Sequence, residues 1–297
     1  MPRLLITGAS GFLGWNLLLH SRERYEVVGT YSSHPPPDGM GRFLRLDLRD
    51  PEATERVIRE TAPAIVIHAA AITSPALCMS QPDLARDVNL RGTVNIIHAV
   101  REIDARLLYT STDRVFDGRR GWYTEEDTPA PLGCYEANKL AGEREIRKTI
   151  PGAVIVRLPL LYGPKSPSHG SFLEWMFDAF RNRTPLELFI DQFRTPLYAE
   201  DAARAIGLLL EKPELSGLFH LGGPERISRC DFGYRMAEIF GFDKGVIRPA
   251  RMTDKKDIPP TPVDVSLNSD KVFRAVGFRG RGVNEGLQAY KRIAQSA

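Results

Sequence analysis

Cysteine is scarce: only Cys78, Cys134 and Cys230 occur in 297 residues, and they lie far apart. An odd number without metal-ligand spacing excludes a disulfide-built scaffold and a structural zinc site. It suits a reducing, cytoplasmic setting, and no metal is expected. Long apolar runs are missing as well. None approaches the ~20 residues that span a bilayer, and Met1-Pro2-Arg3 leads directly into a strand pattern without the features of a signal peptide. An excess of one charge is also absent: 40 Lys+Arg against 37 Asp+Glu leave a net +3, with the signs interleaved along the chain. No basic tract offers a nucleic-acid track. The remaining class is a soluble globular chain without membrane or nucleic-acid partners, long enough for one large domain or two unequal ones.

The pattern that is present alternates short apolar runs with helical periodicity. Strands are expected at Leu4–Ile6, Glu26–Thr30, Phe43–Leu46, Ala64–His68, Arg106–Thr110 and Ala153–Val156. Helices are expected at Phe12–His20, Pro51–Thr61, Leu84–Ile103 and Tyr135–Lys148. Strands apolar on both faces, alternating with helices, predict an α/β fold with a Rossmann-type doubly wound parallel sheet. After Gly163 the rhythm changes. Helical patterns at 172–181, 201–210, 231–240 and 284–294, with a late strand at 218–221, predict a smaller mixed α/β C-terminal domain. The implied boundaries are 1–163 for the first domain, with a returning segment at about 196–221. Residues 164–195 and 222–297 form the second.

Leu4-Leu5-Ile6-Thr7-Gly8-Ala9-Ser10-Gly11-Phe12-Leu13-Gly14 joins the first strand to the first helix. Gly8 permits a tight turn, Gly11 a close approach of pyrophosphate to the backbone, and Gly14 close packing of helix on sheet. Ser10, Phe12 and Leu13 complete a helix N-terminus that attracts phosphate. This spacing resembles the turn of short-chain dehydrogenases/reductases, which implies a nicotinamide dinucleotide cofactor held by the first domain. An acid ending the second strand would select NAD through the ribose; the chain has Tyr31-Ser32-Ser33-His34 instead. NADP(H) is therefore favoured, with NAD(H) retained as an alternative. The resemblance implies that Asp47 and Leu48 contact adenine. Ala69, Ala70 and Ala71 supply small side chains beside the cofactor.

Tyr135-Glu136-Ala137-Asn138-Lys139 places a phenol and an ammonium on one helix face. A free tyrosine, with a pKa near ~10, exchanges protons poorly at neutral pH, and a neighbouring cation lowers that value. Tyr135 is the expected proton donor to a carbonyl, and Lys139 its partner and a ribose ligand. The Y-x-x-x-K spacing also arises on exposed helices without meaning; the glycine turn gives it weight. Three hydroxyls, Thr110, Ser111 and Thr112, leave the sheet together. The family pattern implies that Thr112 bonds the substrate carbonyl, with Ser111 in reserve. It also implies that Thr110, Ser111, Asn89 and Leu158 line the cofactor, and that Thr73, Asp113 and Arg114 face substrate.

Ser111-Thr112-Asp113-Arg114-Val115-Phe116-Asp117-Gly118, the Tyr135–Glu143 helix, His220-Leu221-Gly222-Gly223 and Pro262–Leu267 resemble the dTDP-4-dehydrorhamnose reductase branch of that family. The resemblance implies reduction of a keto group on a nucleotide-activated sugar, with a homodimer as a conceivable assembly. Three departures bear on the sugar. Arg114 stands where those reductases carry tyrosine, and Glu136 where they carry glycine. Arg157-Leu158-Pro159-Leu160-Leu161-Tyr162 lacks their sugar-facing aromatic. Arg194 matches the arginine that holds the diphosphate in UDP-sugar epimerases, and a guanidinium fork suits that group. An epimerase or dehydratase of the same family is one alternative. A non-catalytic NADP-binding subunit, resembling the regulatory subunit of methionine adenosyltransferase, is another.

Overall fold

A computed structural model describes residues 1–167, 170–255 and 258–296. Six strands come from the first half: β1 (Arg3–Thr7), β2 (Glu26–Tyr31), β3 (Arg42–Arg45), β4 (Ile65–His68), β5 (Arg106–Thr112) and β6 (Val154–Leu158). A seventh strand, Gly217–His220, returns to pair with β6. The order is seventh-β6-β5-β4-β1-β2-β3, with every neighbouring pair parallel. Strand order reverses at β1. A crevice therefore opens above the carboxyl ends of β1 and β4, where such sheets bind ligands.

Successive side chains of a strand point to opposite faces, so each strand feeds two cores. Leu4 and Ile6 of β1, with Ile67, Leu108 and Val156, meet the helices Phe12–Ser21 and Ala199–Leu210. Leu5, Val66, Leu107 and Ile155 meet the opposite layer, where Val57, Ile58, Ile96 and Val100 sit. Helix Pro51–Thr61 starts with Asp50 accepting the Ala53 N–H (3.0 Å) and Pro51 in its first turn. The returning segment is tied down by Arg106, whose guanidinium donates to the carbonyls of Leu209, Leu210, Lys212 and Leu215.

A third core belongs to the second lobe. Helices Phe172–Arg181, Arg229–Phe240 and Val283–Ser296 surround the parallel pair Leu186–Phe189 and Ile247–Ala250. Phe177, Phe180, Leu188, Phe232, Met236 and Leu287 fill it. The helix expected over 84–103 is divided in three: Pro82–Arg86, a π-helical turn Asp87–Arg91, and Gly92–Glu102. At the joint Gly92 packs against Leu48: a Cβ there would lie 2.8 Å from the Leu48 side chain. No described helix is long and apolar enough to cross a membrane.

Candidate active site

At the end of β1, Gly8 has φ +69°, a conformation that glycine adopts without strain. A Cβ there would lie 2.7 Å from the Ala70 Cα, so the β1 turn touches the β4 exit backbone to backbone. On Gly14 a Cβ would lie 2.1 Å from the Gly8 carbonyl oxygen; only glycine lets the helix begin so close to the sheet. Gly11 differs: a Cβ there meets nothing nearer than 3.2 Å. It is also the N-cap, and no side chain caps the helix. The first-turn N–H groups, those of Phe12 and Leu13 among them, lack acceptors within the helix and sit at its positive end. This cradle fits a pyrophosphate.

Beneath the turn runs a buried hydrogen-bond chain that the sequence did not reveal. Thr93 Oγ1 donates to the Asn89 carbonyl (2.7 Å) and so accepts from His68 Nε2 (3.0 Å). His68 Nδ1 must then accept from Thr7 Oγ1 (2.7 Å), which in turn accepts the Ala70 N–H (3.2 Å). His68 is thus neutral and protonated on Nε2; burial holds its pKa down to about 3, with Lys139 assisting. Asn89, in the π-helical turn, accepts the Ile72 N–H (2.8 Å) and donates to the Ile72 carbonyl (2.9 Å). Both its polar ends hold the loop that carries Ala69, Ala70 and Ala71. Thr73, one residue further, is exposed.

Around the far end of β2, Tyr31 is half-buried and Ser32, Ser33 and His34 are exposed. Register sets Arg45 opposite Tyr31, and Arg45 Nε donates to the Ser32 carbonyl (3.2 Å). Sequence reasoning had missed this exposed arginine. Asp47 is gripped by Arg49 through Nε–Oδ1 (2.9 Å) and Nη2–Oδ2 (2.6 Å), which holds its carboxyl below the usual range. Leu48 is buried, as is Leu158 at the end of β6.

The three hydroxyls of β5 part company. Thr110 donates to the His68 carbonyl (3.2 Å), and Ser111 to the buried Glu143 carboxylate. Glu143 also holds Arg157 (2.9 and 2.7 Å), whose Nη1 faces His220 Nε2 at 3.3 Å. Thr112 is buried; it donates to Asp113 Oδ1 (3.2 Å) and accepts the Arg114 N–H (3.2 Å). Tyr135, half-buried, lies in the first turn of helix Cys134–Thr149. Burial pushes its phenol above its ordinary value; Arg114 opposes this, while Asp113 and Glu136 add to it. Lys139 is buried with Nζ 4.0 Å from the centre of the Tyr109 ring, and burial pushes its ammonium down to about 7. The cation that favours the Tyr135 phenolate in this structure is therefore Arg114, where the spacing alone had pointed to Lys139.

Arg114 and Glu136, two of the family departures, meet. Arg114 Nε and Nη2 both grip Glu136 Oε1, with the Glu136 side chain only 3% exposed. Gly133 leaves room for that carboxylate: a Cβ would lie 2.4 Å from Glu136 Oε2. Asp113 is buried beside this pair, and Arg194 Nε approaches its Oδ2 to 3.9 Å. The rest of the Arg194 fork donates to the carbonyls of Phe193 (2.6 Å), Val263 (3.1 Å) and Pro262 (3.0 Å). Arg194 therefore clamps backbone, which leaves little of its fork for a diphosphate.

Comparison with known proteins agrees with this geometry. The family model described as the RmlD substrate binding domain matches residues 2–295. A methionine adenosyltransferase 2 subunit beta of Rattus norvegicus is 33% identical over 278 residues, covering 91% of this chain and 81% of its own. A probable low-salt glycan biosynthesis reductase of Haloferax volcanii, Agl14, is 32% identical, covering 84% of each chain. Among solved structures, the dTDP-4-dehydrorhamnose reductase of Bacillus anthracis in complex with NADP superposes with a TM-score of 0.86 at 27% identity, over 98% of this chain and 99% of that one. The chain belongs to the RmlD family of extended short-chain dehydrogenases/reductases, nicotinamide-dependent oxidoreductases.

Proposed function

We propose that this chain uses NADPH to reduce a keto group on a nucleotide-linked deoxysugar, and the observation that carries the reading is the glycine cradle with its uncapped helix N-terminus, which fits a pyrophosphate. Tyr135 carries its proton at neutral pH, as a free tyrosine does, which is the form a donor needs in the reducing direction; burial raises its pKa, where a neighbouring cation was expected to lower it, and Arg114 opposes that rise. The cofactor rests on the cradle of Gly8, Gly11 and Gly14, with the Phe12 and Leu13 N–H groups toward its phosphates; when bound, it supplies the hydride. Thr112 orients the carbonyl oxygen, Tyr135 protonates it, and Lys139 serves the ribose. Preference for NADPH follows from the hydroxyls of Tyr31, Ser32 and Ser33 without an acid, and from Arg45, whose guanidinium suits a 2′-phosphate. Residues 164–195 and 222–297 are assigned to the sugar nucleotide.

Consumption of NADPH with a thymidine-diphosphate-linked 4-keto-6-deoxyhexose tests the reading. Tyr135→Phe should keep cofactor affinity and lose on the order of 10²–10⁴-fold in turnover. Near-normal turnover by that variant would remove the assignment. The 33% identity to a subunit beta of methionine adenosyltransferase 2 favours a second reading, a cofactor-loaded regulatory subunit. Tight NADPH binding with no consumption across nucleotide ketosugars would select it.

A further inference from the structure

Glu143 follows Lys139 by one turn and Tyr135 by about two in helix Cys134–Thr149, so the three side chains share a face of the helix. Its carboxylate is buried and engaged at both oxygens. Oε1 accepts from Ser111 Oγ and from Arg157 Nε (2.9 Å), and Oε2 accepts from Arg157 Nη2 (2.7 Å). Ser111 and Arg157 are partners across β5 and β6, and the next rung pairs Thr112 with Leu158. One carboxylate thus pins the helix to both strands, one residue before the hydroxyl assigned to the carbonyl and the leucine assigned to the cofactor. Arg157 is itself held in place: its Nη1 faces His220 Nε2 (3.3 Å), and its guanidinium lies 5.0 Å from the centre of the Phe116 ring.

We propose that Glu143 is a positioning residue: it locks the helix of Tyr135 and Lys139 onto the exits of β5 and β6, and it supplies the negative charge that keeps Lys139 an ammonium. Titratable neighbours of Lys139 come from three elements: His68 of β4, Tyr109 of β5, and Glu143 of its own helix. Burial holds the His68 imidazole neutral and raises the Tyr109 phenol well above its ordinary value. Glu143 is the member of this set that carries charge at neutral pH, and it opposes the burial that works against the ammonium. The effect on turnover rests on the reductase reading; the effect on cofactor binding does not.

Two variants test the assignment. Glu143→Gln keeps the length of the side chain and removes its charge, which leaves Arg157 a buried cation without its counter-ion and lowers stability. The double variant Glu143→Gln/Arg157→Met removes both charges and should melt close to the parent, since a buried ion pair is often replaced by uncharged side chains without loss. NADPH is titrated against each protein from about pH 5 to 9, and kcat and KM are measured with the thymidine-diphosphate-linked 4-keto-6-deoxyhexose. Affinity that needs the Lys139 ammonium weakens as pH rises. Without Glu143 the ammonium loses its proton earlier, so this alkaline limb should move to lower pH in both variants. The kcat should fall on the order of 10- to 100-fold, with KM for the sugar changed less. An unmoved limb in the folded double variant overturns the proposal, because a purely structural tie lowers affinity alike at every pH. A parental kcat in that variant overturns it too, as does failure of the double variant to fold, which would make the tie a requirement of the fold. Absence of turnover by the unmodified protein removes the reductase reading, and the binding limb then decides Glu143 alone.

Discussion

The two family departures at Arg114 and Glu136 act on one residue, Tyr135, with opposite signs. Arg114 favours the phenolate and Glu136 disfavours it. In the alcohol-oxidising direction the enzyme needs phenolate, so the acid limb of its pH profile follows this balance. Arg114→Met should move that limb to higher pH, and Glu136→Gln should move it to lower pH. Shifts in the same direction, or none, would mean that the pair only packs the helix start. Lys139 gives a second residue-scale prediction. Its folded pKa, about 7, lies below its ordinary 10.5, so folding disfavours its charged form. Stability linked to this group is present above pH 10.5 and is lost as pH falls through 7. Lys139→Met should therefore raise the melting temperature of the cofactor-free protein by a few degrees at pH 6, and by progressively less toward pH 10.5, while weakening NADPH binding. A variant less stable at pH 6 would contradict the burial argument.

At the scale of elements, the sequence carried the sheet well and the short connections poorly. β1, β4, β5 and β6 are runs such as Ile65–His68, apolar on both faces, and nothing competes with their burial. The single helix expected over 84–103 failed at Asp87–Arg91 because periodicity cannot register one extra residue per turn. The pairs Leu186–Phe189 with Ile247–Ala250 and Phe193–Arg194 with Ile227–Ser228 were also missed. Such strands are too short to alternate, and their partners lie far away in sequence. The glycine turn was legible because sterics at Gly8 and Gly14 admit no other residue. The ties of His68 and Arg45 were not, because each depends on a partner contributed by another segment. The π-helical turn supplies a prediction of its own. Asn89→Ala leaves the Ile72 N–H and carbonyl without their side-chain partners, each at about 1–3 kcal/mol. The loop beside the cofactor should loosen, lowering NADPH affinity roughly tenfold with kcat at saturation largely kept. A fall in kcat at unchanged affinity would instead mark Asn89 as part of a proton path.

For the molecule as a whole, two buried histidines tie together segments of the first lobe and bear on acid stability. His220, in the returning strand, accepts from Arg157 at Nε2 and donates from Nδ1 to the Tyr123 carbonyl (3.0 Å). It thereby links the seventh strand to the Tyr123 loop and, through Arg157 and Glu143, to helix Cys134–Thr149. His68 does the same between β1, β4 and the π-helical turn. Burial holds both at about 3, against 6.5 for a free imidazole. Protonation would press a new N–H against the Arg157 guanidinium in one case and the Thr7 hydroxyl in the other. With the folded values below the unfolded ones, the stabilisation is complete above pH 6.5 and is lost as pH falls toward 3. Between about pH 4.5 and 6 these two imidazoles are protonated in the unfolded chain and neutral in the folded one, and His20, whose pKa burial also lowers, acts in the same direction. The unfolding free energy should then fall with pH through that range, by roughly 1 kcal/mol per pH unit for each such imidazole. Urea unfolding at half-unit pH steps measures the slope, and His220→Gln should lower it by about one such share while lowering stability at pH 7. A slope near zero over that range would mean that both imidazoles already carry charge in the folded protein, and neither His68 Nδ1 nor His220 Nε2 could then be the acceptor assigned above.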